Sequence, residues 1–400
     1  MKSIINSFKN FEFYDKFLII FVALIPLSLS ISIFLADFFT SISGIIFIYI
    51  FLFKEKISFF KEIKKEIIFF AIFFLVILLS LIFTNYKENA FLPSFFYFRY
   101  FLLSLIIFYL LKKYDDYFKI FFYSTTISIS IVIFDSYLQQ FIGFNLFGYA
   151  KIGSLDKDAL IYLTSFFEEE KKLGSYLVRF LPLILNLIYF YKIKSSLYLE
   201  ISILILIGII VYLTSERTAL FLLFLIYFFY LLMSQKKIYF LIITTLVFIF
   251  LFSQESRLND KYIKYTLHQT GLINFFKKTE NETLNFSENK IPRYYSEEHE
   301  NLAYTGIVIF KNNIFFGSGI KSFYQECNNL LNQDSKNISN KRNNKLLCST
   351  HPHSTYIQIL SEIGIIGFLL VLFIFFKLLK SNLLLIFKQK SKLVKSYFFI

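Results

Sequence analysis

Residues 17–35 read FLIIFVALIPLSLSISIFL, a largely apolar stretch without a charged side chain. A helix needs about 20 predominantly apolar residues to cross the hydrocarbon core of a bilayer, so this stretch predicts a transmembrane helix. It has no small-residue cleavage site, and a second apolar run follows at once, which argues against a removable signal peptide.

The same pattern recurs along the chain. Of 400 residues, 56% are hydrophobic and 57 are Phe, which is more apolar surface than a soluble domain of this length could bury. Apolar segments of helical length lie near residues 17–35, 38–53, 67–83, 95–111, 118–138, 175–191, 197–214, 218–233, 238–253 and 358–376. A further segment begins near Leu393. The sequence therefore predicts an all-α, polytopic membrane helix bundle of about 10–11 transmembrane helices.

Lysine-rich clusters predict the orientation. They occur near the N-terminus and in every second loop, at residues 54–66, 112–119, 192–194, 236–237 and 377–395. The positive-inside rule places these clusters and the N-terminus in the cytoplasm. The two long loops, 139–174 and 254–357, then face outward. We expect a bundle of about nine helices over 1–253, one large outer loop containing short helices over 254–357, and a C-terminal region over 358–400 with a last helix, a basic segment and the start of another helix.

The formal net charge of +14 does not indicate a nucleic-acid partner. Lys outnumbers Arg 36 to 6, and the Lys residues follow the loop pattern of a membrane protein. We therefore expect membrane lipids, and no nucleic acid, as partners. No internal repeat is apparent, so an inverted-repeat transporter gains no support.

The outer loop 254–357 carries its own local patterns. Residues 257–278 place apolar side chains at helical spacing, which predicts an amphipathic helix on the membrane surface. Residues 279–298 are polar and predict a loop, and a short helix near 300–312 leads to a turn at Gly317-Ser-Gly319.

Both cysteines, Cys327 and Cys348, fall in this loop. A pair in an oxidising compartment can form a disulfide that closes the loop, and two free thiols are the alternative. A metal site would need more ligands at fitting spacing, so we predict a disulfide and no metal.

All four histidines also lie in this loop, at His268, His299, His351 and His353. Pro352 suits the first position of a helix, which would place His353 in the first helical turn. The positive end of the helix dipole there disfavours imidazolium, so a neutral imidazole at the membrane surface could accept a proton. Two other interpretations remain open, a loop histidine bonded to the backbone or half of a metal site.

Arg217 lies in the tight outer turn Ser215-Glu216-Arg217-Thr218, between two hydrophobic segments. The positive-inside rule disfavours Arg on that side, and a guanidinium suits a phosphate or diphosphate headgroup. A contact with Glu216 or with lipid is the alternative. Arg99 and Arg179 lie in predicted helices, where they could snorkel, pair with an acid such as Asp135, or line the same cavity.

These residues resemble the O-antigen ligase and polymerase family of bacterial membrane glycosyltransferases. The family's ligase motif is His, then Asn, Ser or Gln, nine residues, Gly, two residues, and Gly, Thr or Tyr. The motif is complete here, from His353-Ser354 to Gly364 and Gly367. The segment Asn301–Phe323, with its Gly-x-Gly turn, and the Ser-x-Arg at Arg217 are also similar to the family.

The resemblance implies transfer of a glycan from undecaprenyl diphosphate to a lipid A core hydroxyl. The reaction would be metal-independent, free of cofactors and inverting, on the periplasmic face of the inner membrane. His353 would be the base, and Arg217 would neutralise the leaving diphosphate. The family's second arginine corresponds in position to His299, with Arg293 six residues earlier, and His351 and Arg179 are further substrate-binding candidates.

Three other functions are alternatives to the ligase. An O-antigen polymerase and a protein O-oligosaccharyltransferase share the donor and differ in the acceptor. A polysaccharide transporter would show ionisable residues at mid-membrane, broken helices and repeats. The ligase motif favours the ligase. Gly364 and Gly367 are expected to let the His353 helix pack closely on a neighbouring helix.

Overall fold

The computed structural model describes residues 11–53, 63–153, 161–190, 196–233, 237–254, 297–334 and 346–388. The first helices are α1 (Phe13–Ile31), α2 (Ile33–Phe53), α3 (Lys64–Phe83), α4 (Lys87–Phe95), α5 (Phe98–Lys113) and α6 (Tyr117–Ile142). A 3₁₀ turn at Ser165–Phe167 precedes α7 (Leu173–Phe190), α8 (Ser196–Leu213), α9 (Arg217–Met233) and α10 (Lys237–Gln254). The last are α11 (Glu297–Asn312), α12 (Phe323–Asp334) and α13 (Thr355–Lys388).

The prediction of an all-α helix bundle is confirmed. Each of the ten apolar segments predicted between residues 17 and 376 overlaps a helix, and the segment predicted from Leu393 lies outside the described residues. Six spans within the described residues are long and apolar enough to cross a membrane. In those residues β pairing is limited to isolated bridges such as Phe144 with Ala150. Sequence analysis missed α4, a helix of nine residues that joins α5 in one candidate span, Lys87–Lys113. The chain is therefore a multi-pass helical membrane protein.

Contacts divide the chain into two units. Unit 1 comprises Met1–Lys54, Leu102–Lys264 and Ser381–Ile400, and unit 2 comprises Glu55–Phe101 and Tyr265–Lys380. The sequence predicted three consecutive regions, 1–253, 254–357 and 358–400, and this division differs from them. Residues 55–101, which include α3 and α4, group with residues 265–380 rather than with their neighbours in sequence.

The core of unit 1 is built around α6, α7, α8 and α9. Their buried faces carry branched aliphatic side chains, such as Val132, Leu181 and Ile207, which are each fully buried. These apolar faces lie toward one another, as expected when helices remove a stripe of side chains from their surroundings.

Polar side chains of α6 hold the long loop that follows it. The carboxylate of Asp135 accepts hydrogen bonds from the Leu146 amide, at 2.7 Å, and from the Ser165 hydroxyl. The Gln139 side-chain oxygen accepts from the amides of Thr164, at 3.0 Å, and Ser165, at 2.8 Å. Asp135 therefore supports the backbone of this loop, a role that the sequence did not indicate.

Unit 2 contains a broken helix. The helix predicted over 358–376 is present within α13, but α13 is interrupted at Gly364, where φ is 74° and ψ is −174°. That backbone conformation favours glycine, since a Cβ disfavours positive φ. An added Cβ would also collide with the carbonyl of Phe315. The close packing expected at Gly364 is present. Its partner is the backbone of the loop before α12, at Phe315 and Gly317, rather than a neighbouring helix.

Four backbone hydrogen bonds join the two sides of this break to the loop of residues 314–319. They run from Ser318 to Ser361 (2.8 Å), Gly319 to Glu362 (2.9 Å), Ile365 to Ile314 (2.8 Å) and Ile366 to Phe315 (3.4 Å), naming each amide donor first. A helix break within a candidate membrane span frees amides and carbonyls that lipid cannot satisfy. Here the loop satisfies them, so the break is stable.

Candidate functional site

Three of the four histidines lie together in unit 2. The ring of His353 is 4.3 Å from that of His351 and 5.3 Å from that of His299, measured between ring centroids. All three side chains are exposed. His299 lies in the first turn of α11, and the other two precede α13. We call these three residues the histidine cluster; His268 and Arg293 lie outside the described residues.

The backbone at His353 differs from the sequence-based prediction. The expectation that Pro352 starts a helix and that His353 lies in its first turn is wrong, because α13 begins at Thr355. His353 has a φ of 52°, in the left-handed region, and the carbonyl of Ser354 accepts the first helical hydrogen bond from the Gln358 amide at 2.8 Å. His353 therefore precedes the helix on a sparsely populated backbone conformation, which costs energy and is common at functional sites.

The segment that carries His351 and His353 is fixed by several contacts. Cys348 is joined to Cys327 of α12 by a disulfide, with the Cα atoms 5.6 Å apart. The Leu347 amide donates to the Thr305 hydroxyl of α11 at 3.1 Å. Pro352 is buried. These contacts position the two histidines although their side chains face solvent.

Gly306 of α11 allows this packing. A Cβ built on Gly306 would collide with the side chain of Ile357 in α13 and would lie 3.5 Å from Pro352. The glycine therefore lets α11 approach the start of the motif helix closely, as small residues do in membrane helix pairs. This contact brings His299 of α11 near His353.

Within the described residues, no group of at least three His, Cys, Asp or Glu side chains is arranged to hold a metal ion. The Nδ1 atom of His351 is instead 2.9 Å from the Thr350 hydroxyl. The three imidazole rings are exposed to solvent, which suits exchange of protons.

A second candidate site lies in unit 1, at the turn between α8 and α9. Ser215 has a φ of 60°, and Glu216 is buried, with 7% of its surface exposed. Its carboxylate accepts hydrogen bonds from the Gly174 amide (2.6 Å), the Ser175 amide (3.0 Å) and the Ser175 hydroxyl (2.7 Å). Glu216 therefore caps the start of α7, where the first amides of a helix have no partner within the helix.

Hydrogen bonds and one nearby positive charge oppose the effect of burial on the pKa of Glu216. Burial raises the pKa of the Glu216 carboxyl, whereas its hydrogen bonds and the positive charge of Arg179 lower it. Arg179 is exposed on α7, and Arg217 is the first residue of α9 and partly exposed. We call Arg179, Glu216 and Arg217 the arginine turn. Arg179 thus interacts with Glu216, while Asp135, its predicted alternative partner, bonds to the loop after α6.

Sequence reasoning missed the roles of Glu216 and of the loop around Phe315. It treated Glu216 only as a possible partner of Arg217, although an acid buried between two apolar helices is itself a signal of a structural role. The partners Gly174 and Ser175 lie some forty residues away in sequence, so only the tertiary structure could supply them.

Comparison with known proteins supports the resemblance seen in the sequence. Residues 202–372 match the protein-family model described as O-antigen ligase. This range includes Arg217, the Gly-x-Gly turn and the motif from His353 to Gly367. No curated protein and no solved structure matches the chain significantly. The match supports an assignment of residues 202–372 to the O-antigen ligase family.

Proposed function

We propose that this protein is an O-antigen ligase-type glycosyltransferase. It transfers a glycan from undecaprenyl diphosphate to a hydroxyl of lipid A core, on the periplasmic face of the bacterial inner membrane, with its N-terminus in the cytoplasm. The observation that carries the proposal is the exposed histidine cluster at the start of the matched motif helix.

His353 acts as the general base. The acceptor hydroxyl oxygen attacks the anomeric carbon, and its proton passes to an imidazole nitrogen of His353. The bond between that carbon and the diphosphate oxygen breaks, and the diphosphate leaves with the electron pair. Attack on the face opposite the leaving group inverts the anomeric carbon. General base catalysis of this kind contributes about 10²–10⁴-fold in rate.

Arg217 stabilises the departing diphosphate, and Arg179 adds a second positive charge at the same turn. Guanidinium groups pair with phosphate oxygens through parallel hydrogen bonds, and such contacts are stronger where water is excluded. Glu216 fixes the turn that carries Arg217, because its carboxylate is held by three donors at the start of α7. The turn is thus preorganised before charge develops.

His299 and His351 contact the substrate beside the base. Both imidazole rings lie near His353 and both are exposed, so they can bind hydroxyl groups of the acceptor or donor. His299 occupies the position at which the family carries its second arginine. Arg293 remains a further candidate for that role, outside the described residues.

The test is a His353→Ala variant in cells that make the donor. We expect its lipopolysaccharide to lack the long glycan, while the variant accumulates in the membrane like the wild type. Tyr356→Ala is the matched control, because Tyr356 is exposed and lies in the first turn of the same helix. Normal glycan attachment in the His353→Ala strain would refute the catalytic role.

The product that disappears identifies the acceptor. Loss of glycan from lipid A core supports the ligase, whereas loss of free polymer or of a glycosylated protein would point to the polymerase or the protein-modifying enzyme. The acceptor is therefore identified from one set of strains.

A transporter is the second candidate, because α13 is broken and broken helices are typical of transporters. In transporters the free backbone groups at such breaks bind the substrate. Here the groups around Gly364 are bonded to the loop of residues 314–319, which leaves a structural role for the break. A transporter would also retain its activity in the His353→Ala variant.

A further inference from the structure

A short turn after α6 in unit 1 carries a patch of exposed apolar side chains. Residues 141–150 read FIGFNLFGYA and contain no charged side chain. More than half of the surface is exposed at each of Phe141, Ile142, Phe144, Leu146 and Phe147. Exposed apolar patches mark surfaces that contact a membrane or another protein. We call residues 144–149 the apolar turn; the acid–base and anion-binding roles proposed above do not use it.

The apolar turn lies beside α6 rather than beyond its end. The Leu146 amide donates to the Asp135 carboxylate at 2.7 Å, and Asp135 precedes Ile142, the last residue of α6, by seven residues. The turn therefore reaches about 10 Å back along a helix that lies in a candidate membrane span. Because α6 has 26 residues, it is about 39 Å long and exceeds the roughly 30 Å of a hydrocarbon core. The level of Asp135 thus lies near the boundary between acyl chains and headgroups.

The backbone of the apolar turn is suited to surroundings that hold little water. The amides of residues 145 to 149 all donate within the protein, two to the side-chain oxygen of Asn145, one to Asp135 and two to carbonyls of the turn itself. The Tyr149 carbonyl also accepts from the Gln139 side chain at 3.2 Å. Lipid supplies no hydrogen bonds, so irregular backbone at membrane depth must have its polar groups satisfied by the protein. A loop in water has no such requirement, since water can bond its amides.

We propose that the apolar turn inserts into one leaflet of the bilayer, at the boundary between acyl chains and headgroups. Its surface continues the lipid-facing surface of α6, because Phe141 and Ile142 at the end of the helix are exposed as well. A charged side chain would be costly at this depth, and the turn has none. Tyr149 fits the same position, since aromatic side chains with a polar end are enriched at membrane interfaces. The inference concerns contact with lipid and does not depend on the proposed reaction.

The chain contains no Trp, so an introduced Trp is the sole fluorescent reporter of its kind. Phe147→Trp and Phe144→Trp place it on the apolar turn of the full-length protein, in bilayers with and without phospholipids brominated at a defined acyl carbon. We expect emission at a shorter wavelength than that of Trp in water, and quenching by the brominated lipid. Phe134→Trp is the matched control, because Phe134 is 59% exposed on α6 and adjacent to Asp135, at the depth of the turn. Reporters and control should show the same dependence of quenching on the position of the bromine.

Two results would overturn the inference. Emission at the wavelength of Trp in water without quenching, in bilayers where Phe134→Trp is quenched, would place the apolar turn in solvent. Emission at a shorter wavelength without quenching would show that protein covers the turn, either a second copy of this chain or another partner. Two reporters are used so that misfolding of one variant leaves the other to decide.

Discussion

The arginine turn and the histidine cluster hold the side chains proposed for catalysis in opposite ways. At the arginine turn a buried carboxylate, held by three donors, fixes the backbone from which Arg217 projects. At the histidine cluster the three rings are exposed, and their backbone is held by a disulfide, one hydrogen bond and the packing at Gly306.

This difference fits the two chemical tasks proposed for these regions. Stabilising a leaving anion requires charges that do not reorganise as the bond breaks, so a buried and bonded scaffold is favourable. Accepting a proton from a substrate and releasing it afterwards requires contact with solvent. Variants that disturb each scaffold separately test whether this contrast holds.

The largest expected effect concerns Gly364, at the break in α13. Gly364→Ala adds a Cβ at positive φ and against the Phe315 carbonyl, so we expect a loss of more than about 4 kcal/mol in stability. Melting in detergent and accumulation in the membrane measure it. Gly143→Ala is the control, since Gly143 has a φ of +94° with nothing within 4 Å of an added Cβ. If both variants were equally stable, the close approach at Gly364 would be unimportant.

The next effect concerns the charge at the arginine turn. Arg217→Lys keeps the charge but loses the planar pair of donors, and we expect the rate of glycan transfer to fall about 10²-fold or more. Transfer with purified protein and lipid-linked donor measures it, and the melting temperature should stay near that of the wild type. A fully active Arg217→Lys variant would favour a simple lipid contact for Arg217.

The disulfide tests whether the histidine cluster depends on its scaffold. Replacing Cys327 and Cys348 by Ala opens a loop whose ends are 21 residues apart, which should cost about 3 kcal/mol. Transfer should also slow, because Cys348 lies five residues before His353. Reductant should slow the wild type in the same way and leave the double variant unchanged. Unaltered transfer in both cases would show that the other contacts suffice.

The smallest expected effect separates scaffold from surface. Glu216→Gln removes one carboxylate acceptor from the start of α7 and should cost about 1–3 kcal/mol of stability. His351→Ala removes an exposed side chain and should change stability by less than about 0.5 kcal/mol. Chemical denaturation of both variants measures the difference. If His351→Ala lost more stability than Glu216→Gln, the contrast between a buried scaffold at the arginine turn and exposed side chains at the histidine cluster would be contradicted.

The sequence predicted the helices well because the bilayer imposes a minimum length and apolar composition on each one. The motif from His353 to Gly367 and the positions of the two cysteines were also visible without coordinates. The start of α13 was misplaced by three residues, because Pro352 is compatible with a helix start but is instead buried beside Gly306. Propensity at a helix end is a weak signal, and tertiary packing overrides it here.

The amino-acid sequence alone specifies the class of the protein, a multi-pass helical bundle with an O-antigen ligase motif. The transmembrane helices are encoded by apolar segments of a fixed length, and the motif is encoded by a fixed spacing. Residues close together in the sequence are therefore enough to predict both. The tertiary structure decided the contacts between distant segments: the gathering of His299 with His351 and His353, the capping of α7 by Glu216, and the break at Gly364. Each depends on partners far apart in the chain, which only packing and hydrogen bonding of the folded backbone bring together.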